Sequence, residues 1–375
     1  MADLIFFGHD AHDPAVQRRI KAFEHAGASV RAFTMRRGPA KAMPWENVDL
    51  GETRDAAFAQ RIGALLRARP IMRHHRDALR HAKVFYARNL DMLMLAHWAR
   101  RMSGASAKLV YECLDVHRFM TRSDPLGAAM RHTERKLLAD TSLVVVSSPA
   151  FVRSYFDTYH PGRARTLLVE NRLPWGFAYG ARPTEAPERS GPIRIGWFGN
   201  LRCRRSLALL LALADRFPDR VALSLRGVPA RTEVGDLEAR IGGRPNVSFG
   251  GRYGWPEDLA AIHRDVDLVW AGDFHDPGAN SKWLLPNRLY EGGYYCAPPI
   301  APSDSETGRW IDAHGFGFTL AEPIEDSLPA MIDTLDRSRI AAARAKLAAT
   351  PDQVFLQPKD ELKAVIDAAL TERAP

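Results

Sequence analysis

The sequence predicts an α/β protein built from two doubly wound, Rossmann-like domains. Three observations predict it. The chain opens on a short apolar run, Leu4-Ile5-Phe6-Phe7, stopped by Gly8, with a helix from Pro14 through Ala26 and a second apolar run at Ser29–Phe33. Strand, loop, helix and strand in that order start a doubly wound fold. The same order restarts at Ile193–Phe198, after a stretch (173–192) holding Pro174, Pro183, Pro187, Pro192, Gly176, Gly180 and Gly191. Finally, 375 residues with 46% apolar and 26% charged content suit two ordinary globular cores. The expected boundaries are 1–175 for the first domain, 176–192 for a linker and 193–349 for the second domain. The segment 350–375 is mostly helical in pattern and leaves open a return to the first domain.

In folds of this class ligands sit beyond the carboxyl ends of the strands. Gly8, His9 and Asp10 follow the first strand and so lie at the working edge. His9, Asp10, His12 and Asp13 alternate within one loop, which suits either metal ligation or a helix cap lining a pocket. Residues 36–55 are polar and Pro-containing, a loop by pattern. Residues 56–82 read as helical with a break near Pro70. Val84–Tyr86 is a strand, Leu90–Met102 a helix, and Lys108–Glu112 the next strand. Asp115 and His117 follow that strand's end, two residues apart. A carboxylate or imidazole there can take a proton from a hydroxyl, or an Asp can merely cap the next helix. Pro125–Ala139 is a helix, Leu143–Ser147 a buried strand, Pro149–Tyr159 a helix and Thr166–Glu170 a strand.

In the second domain Gly199, Asn200, Arg202, Arg204 and Arg205 join the first strand to the helix Leu207–Arg216. Glycine lets an anion approach the backbone, and the arginines add charge at a helix start. Val221–Arg226 and Val247–Phe249 continue the sheet. Gly250 and Gly251 precede Arg252 and Tyr253, a stretch open to a planar base. Trp255–Arg264 reads as a helix. Asp265 and Asp267 have the spacing of a metal-holding pair, yet they precede the strand Leu268–Ala271 instead of following it. They read as a helix end turning into a strand. After a polar loop (273–283), Pro286 suits the first turn of a helix running from Asn287 to Tyr295. Arg288 lies in its first turn, with Glu291 three residues on along the same face. A cation and a carboxylate at a helix start suit a nucleoside diphosphate, the cation meeting phosphate and the carboxylate the ribose hydroxyls. A buried helix closed by Gly292-Gly293 is the structural alternative. Pro298–Ala301 forms the strand behind it, and Thr307–His314 with Gly317–Leu320 finishes the sheet.

Composition sets limits. No run of about 18 apolar residues exists, so no bilayer span is expected. No basic region followed by an apolar stretch marks a secretion signal. Cys113, Cys203 and Cys296 are scattered, with neither disulfide nor metal spacing, which fits a reducing cytosol. The net charge is +8. From Arg61 to Lys108 eleven basic residues stand against Asp77 and Asp91. Such a field attracts lipid headgroups, nucleic acid or phosphorylated substrates. That stretch has no recognisable nucleic-acid module.

Three motifs, in their order and spacing over nearly the whole chain, resemble those of bacterial exopolysaccharide glycosyltransferases of the GT-B fold. The nearest likeness is to succinoglycan-type glucosyltransferases and, more distantly, to the xanthan glucuronosyltransferase. The motifs are Gly8-His9-Asp10, the strand Lys108-Leu109-Val110-Tyr111 leading to Asp115, and Arg288-Leu289-Tyr290-Glu291 followed by Ala297-Pro298-Pro299-Ile300. The resemblance implies two domains facing a central cleft, with Asp115 as catalytic base and His117, Gly8, His9 and Asp10 placing the acceptor or sugar. Gly199, Asn200, Arg202, Arg205, Arg252, Tyr253, Asn287, Arg288 and Glu291 would bind the donor. Trp283 stands where retaining relatives carry the first of two glutamates, which favours inversion. Asn200 stands where many relatives have Arg, so Arg202 or Arg205 would take that charge role. The expected donor is a UDP-hexose, UDP-glucose or UDP-glucuronate, with no metal and no cofactor. The expected acceptor is a polyprenyl-diphosphate-linked saccharide, reached from the cytoplasm at an anionic membrane surface. A non-hydrolysing sugar-nucleotide epimerase and a nucleic-acid-binding protein are the alternatives.

Overall fold

The computed structural model describes residues 3–53, 58–184 and 189–371; Pro187 of the expected linker lies outside them. The chain forms two compact units. The first comprises 1–170, 174–176 and 358–375, and the second 171–173 and 177–357.

The first unit is built on a seven-stranded parallel sheet in the order β3-β2-β1-β4-β5-β6-β7. The strands are β1 Leu4–Gly8, β2 Val30–Arg36, β3 Asn47–Glu52, β4 Val84–Arg88, β5 Lys108–Cys113, β6 Thr141–Val146 and β7 Thr166–Leu168. The central strands β1 and β4 are buried at every position, because helices cover both faces of a parallel sheet. Asp13 caps the helix Pro14–His25 by accepting the Ala15 amide at 2.8 Å, and Asp124 caps Pro125–Ala139 through the Gly127 amide at 2.9 Å. The helix Glu361–Leu370 places Leu362, Val365 and Ala369 in the same core as Leu4, Phe6, Val110 and Val145.

Two expectations change here. The segment expected as a loop contains the edge strand β3, in which only Leu50 is buried. A single inward side chain leaves no alternation to read. The helix Phe58–His74 continues through Pro70 and breaks at His75 instead. Pro70 removes one backbone donor, and Leu66, whose carbonyl is thereby left over, is 50% exposed and open to water.

The second unit carries a six-stranded parallel sheet in the order β10-β9-β8-β11-β12-β13. Its strands are β8 Ile193–Leu201, β9 Val221–Pro229, β10 Val247–Phe249, β11 Leu268–Trp270, β12 Pro299–Pro302 and β13 Phe318–Leu320. Trp197 and Trp270 anchor its core among Leu207, Leu210, Leu223 and Ile300. Thr307–His314, expected to extend the sheet, is instead part of the helix Glu306–His314, with Ser305 capping it through the Gly308 amide at 3.0 Å. Gly315 closes that helix in the left-handed conformation (φ +69°). Asp267 is buried at the amino end of β11. It accepts the Arg194 amide at 2.9 Å and pairs with Arg337 at 2.8 Å, Arg344 at 3.6 Å and Arg189 at 3.7 Å. Asp267, which has metal-pair spacing with Asp265, is therefore a charge anchor for β11.

Candidate functional site

At the carboxyl edge of the second sheet, β8 and β9 run in register through Gly199↔Gly227 to Leu201↔Pro229, so Gly199 and Asn200, expected in a loop, lie in the strand. Both glycines have positive φ, +101° and +133°, and a Cβ on Gly227 would fall 1.8 Å from the Gly199 carbonyl oxygen. Only glycine permits that approach. The Tyr253 hydroxyl reaches to 3.9 Å from where a Gly199 Cβ would stand, so these two expected donor residues converge. Asn200 and Arg252 are exposed at this edge.

The helix Asn287–Tyr294 starts after Pro286, which takes the capping position instead of the first turn. Asn171 fixes the approach by donating to the Leu285 carbonyl at 2.9 Å, and Thr307 holds the Leu284 carbonyl at 3.0 Å. Arg288 folds inward, its side chain 11% exposed. Its Nη2 donates to the Gly272 carbonyl at 3.0 Å and lies 3.8 Å from Asp273 Oδ2. Its Nε is buried without a hydrogen-bond partner among the described residues. Burial lowers the Arg288 pKa, and Asp273 opposes that shift. Burial also acts to raise the Asp273 pKa. It is outweighed by Arg288, the Ser281 hydroxyl at 2.7 Å, the His275 amide and Arg202, which hold the carboxyl below its ordinary range. Arg202 thus shares one charge cluster with Arg288 and Asp273.

Glu291 is buried one turn on, and Trp255 Nε1 donates to its Oε1 at 3.1 Å. Trp255 precedes a short helix, Leu259–Arg264, instead of opening a long one. Arg205 does not join this cluster. It grips Glu322 and Glu325 through four hydrogen bonds of 2.8–3.1 Å and lies over the Phe274 ring at 4.5 Å. Those carboxylates hold its pKa above the ordinary arginine value. Of the two arginines expected to stand in at this edge, Arg202 alone is placed beside Arg288. Asp273, Ser281 and Trp255 are additions that sequence reasoning missed. Asp273 and Ser281 lie in a polar loop with no motif around them.

In the first unit β1, β4 and β5 are adjacent and parallel, so the loops after them emerge side by side. Gly8 closes β1 in a tight space, since a Cβ would stand 3.1 Å from both Thr34 and Val16. His9 bridges two of the loops. Its Nε2 lies 3.1 Å from Asp13 Oδ2 and its Nδ1 3.3 Å from Asn89 Nδ2. Asn89 holds a left-handed φ of +76° at the end of β4, a conformation asparagine tolerates. Burial raises the Asp13 pKa, but His9 and Arg88 outweigh it and hold the carboxyl well below its ordinary value. Asp10 faces its own surroundings: Oδ1 accepts the His12 amide at 3.0 Å and the Arg37 amide at 3.1 Å. It shapes the loop that presents His9. Among the described residues no three His, Cys, Asp or Glu side chains converge as metal ligands.

Asp115 and His117 are exposed on the loop after β5, on either side of buried Val116. The Phe119 amide donates to His117 Nδ1 at 3.3 Å. Beneath this loop Glu134 is buried against Tyr111 at 3.2 Å, His160 at 2.8 Å and Tyr155. Burial and that carboxylate push the Tyr111, Tyr155 and Cys113 pKa values up. The Tyr111–Glu134 bond ties β5, which leads into this loop, to the helix Pro125–Ala139.

No protein-family model matches the chain. It is 38% identical over 384 residues to the succinoglycan biosynthesis protein ExoL of Rhizobium meliloti (strain 1021), covering 100% of this chain and 95% of that protein. Among solved structures it resembles Anabaena HepE in complex with UDP, with TM-score 0.72 and 15% identity over 98% of this chain and 100% of that one. HepE in complex with UDP-glucose gives TM-score 0.71 at 16% identity, covering 98% and 99%. Sucrose-phosphate synthase from Thermosynechococcus elongatus gives 0.72 at 14% identity, covering 97% and 96%. At these identities the structural likenesses concern the fold.

Proposed function

We propose, from the premise that the chain belongs to the family of the succinoglycan biosynthesis protein ExoL and is a glycosyltransferase of the GT-B fold acting in exopolysaccharide synthesis, that it inverts a hexose from a UDP-sugar onto a polyprenyl-diphosphate-linked saccharide. The epimerase and nucleic-acid readings give way to that premise. UDP-glucose and UDP-glucuronate are the favoured donors; HepE, of the same fold, is a protein seen with UDP and with UDP-glucose.

The observation that carries the donor reading is Arg288. Its guanidinium is held at this edge by the Gly272 carbonyl at 3.0 Å, and its carboxylate neighbour Asp273 stands off at 3.8 Å, a loose pairing that leaves charge for an anion. The anion's position follows from the helix start at Asn287, the Gly199 backbone and the Arg202 charge, which all favour negative charge at this edge. Glu291, fixed by Trp255, takes the ribose hydroxyls, while Arg252 and Tyr253 bound the base. The bond from the anomeric carbon to the diphosphate breaks, and UDP leaves with the electron pair. The acceptor oxygen bonds to that carbon from the opposite face, and its proton passes to Asp115. His117 and His9 orient the reacting groups. The diphosphate charge is met by cations of the chain itself, so this reading calls for no metal.

Arg288→Ala is expected to weaken UDP binding about 10- to 100-fold by calorimetry, with Arg288→Lys intermediate because it keeps the charge and loses the fork. UDP affinity equal to wild type in both variants would remove the donor assignment.

The proposal also places the protein peripherally on the cytoplasmic face of an anionic membrane. No described helix is long and apolar enough to cross a membrane. On the helix Phe58–His74, Leu66, Arg67, Arg69 and Arg73 are exposed together, and Arg69 and Arg73 lie over the Trp98 ring at 5.4 and 5.6 Å. Replacing Arg67 and Arg73 by Ala is expected to lower co-sedimentation with phosphatidylglycerol vesicles roughly 30-fold at low salt, at about 1 kcal/mol per charge. Unchanged, salt-insensitive binding would point to another surface.

A further inference from the structure

The loop that carries Asp115 continues into a feature that the mechanism above does not use. An open cavity of about 450 Å³ is lined by Arg118, Phe119 and Arg122. The two guanidinium groups lie over the Phe119 ring, at 5.6 Å for Arg118 and 5.5 Å for Arg122. Cation–π contact orients each cation without neutralising it. Arg118 is exposed and has no ion pair among the described residues. Arg122 has a carboxylate partner, Asp124, which also caps the following helix.

The loop behind this pair of cations is built to hold its shape. Arg131 Nη1 donates to the carbonyls of both Met120 and Arg122 at 2.7 Å. Gly127 packs so closely that a Cβ would lie 2.4 Å from the Arg122 carbonyl oxygen and 2.8 Å from that of Phe119. Val116 and Met120 are buried on either side. A rigid pair of arginines mounted on an aromatic ring suits a multiply charged, compact anion such as a phosphoryl group.

We propose that Arg118 and Arg122, spaced by Phe119, form the subsite for the diphosphate that joins the acceptor saccharide to its lipid. This rests on the reading of Asp115 as base. Arg118 lies three residues beyond Asp115 and Arg122 seven, so a hydroxyl and a diphosphate of one short acceptor are addressed by one loop. The same chemistry could serve a phosphate headgroup of the bilayer, and the test separates the two sources.

Inorganic pyrophosphate is titrated calorimetrically into the full chain with UDP held saturating, so that the donor edge is filled. The wild type is expected to bind it, and Arg118→Ala/Arg122→Ala to lose at least about tenfold in affinity with UDP affinity unchanged. Phe119→Leu should weaken binding less, by misdirecting the cations. Farnesyl diphosphate should follow the pyrophosphate result, while binding to phosphatidylglycerol vesicles stays as in the wild type. Equal pyrophosphate affinity in the double variant overturns the proposal. So does a loss confined to vesicles, which would assign the arginines to headgroups. Should circular dichroism show the double variant unfolded, Arg118→Ala alone decides, because Arg118 bears no ion pair. Absence of UDP binding would count against the donor reading and leave the pyrophosphate comparison readable.

Discussion

Replacing Asp115 by Asn is expected to lower turnover about 10²–10⁴-fold and to leave UDP affinity unchanged. The substitution keeps size and hydrogen-bonding reach and removes only the capacity to accept a proton. Asp115 is exposed, so its loss disturbs no core, and its neighbour Val116 is buried. The groups proposed to bind the donor belong to the other unit and are not altered. Transfer of labelled sugar gives turnover, and calorimetry gives UDP affinity. A variant with near-normal turnover would mean that another group takes the proton, and His117→Gln would be the next to measure.

The second large effect concerns stability. Glu112 is fully buried in β5. Both Arg19 Nε and Nη2 lie 2.8 Å from its Oε1, and Arg88 Nη1 lies 3.2 Å from its Oε2. Glu112→Ala leaves two buried guanidinium groups without their counter-charge. Breaking such a cluster costs about 3–5 kcal/mol, a large part of a domain's usual stability of roughly 5–15 kcal/mol. Urea unfolding should show it, and a loss under about 1 kcal/mol would contradict the account. Burial raises the Glu112 pKa, but the two arginines outweigh it and hold the value below the ordinary carboxylate range. The contribution is therefore complete above the unfolded-state pKa of about 4.3 and is lost as pH falls through the lowered folded value. Glu112→Ala should accordingly flatten the acid limb of the stability profile.

The fold was legible because parallel strands buried on both faces are near-continuous apolar runs, as in Leu4–Phe7 and Leu143–Val146. The edge strand β3 was not, since Asn47–Glu52 buries one side chain and alternates nothing. Pro70 misled for a related reason: a proline is tolerated where water can satisfy the carbonyl it frees, and exposure is invisible in sequence. At the edge proposed for the donor, the place of Arg288 and Glu291 on one short helix was legible through their spacing. Asp273 and Ser281 were not, because their relation to Arg288 is made by the chain folding back over a loop without pattern. Arg205 carries the expected charge but lies in the first turn of the helix Arg204–Arg216, and its partners Glu322 and Glu325 lie more than a hundred residues away. Asp267 is likewise paired far from its own segment, with arginines at positions 189, 337 and 344.

Because the helix Glu361–Leu370 completes the first unit's core, the second unit is an insertion in the first instead of a sequel to it. Cutting the gene after Gln357 would strip Leu362, Val365 and Ala369 out of the amino-terminal body and uncover its apolar interior. Neither half can be prepared by a single stop codon. An isolated amino-terminal body needs residue 170 spliced to residue 358 through a short spacer.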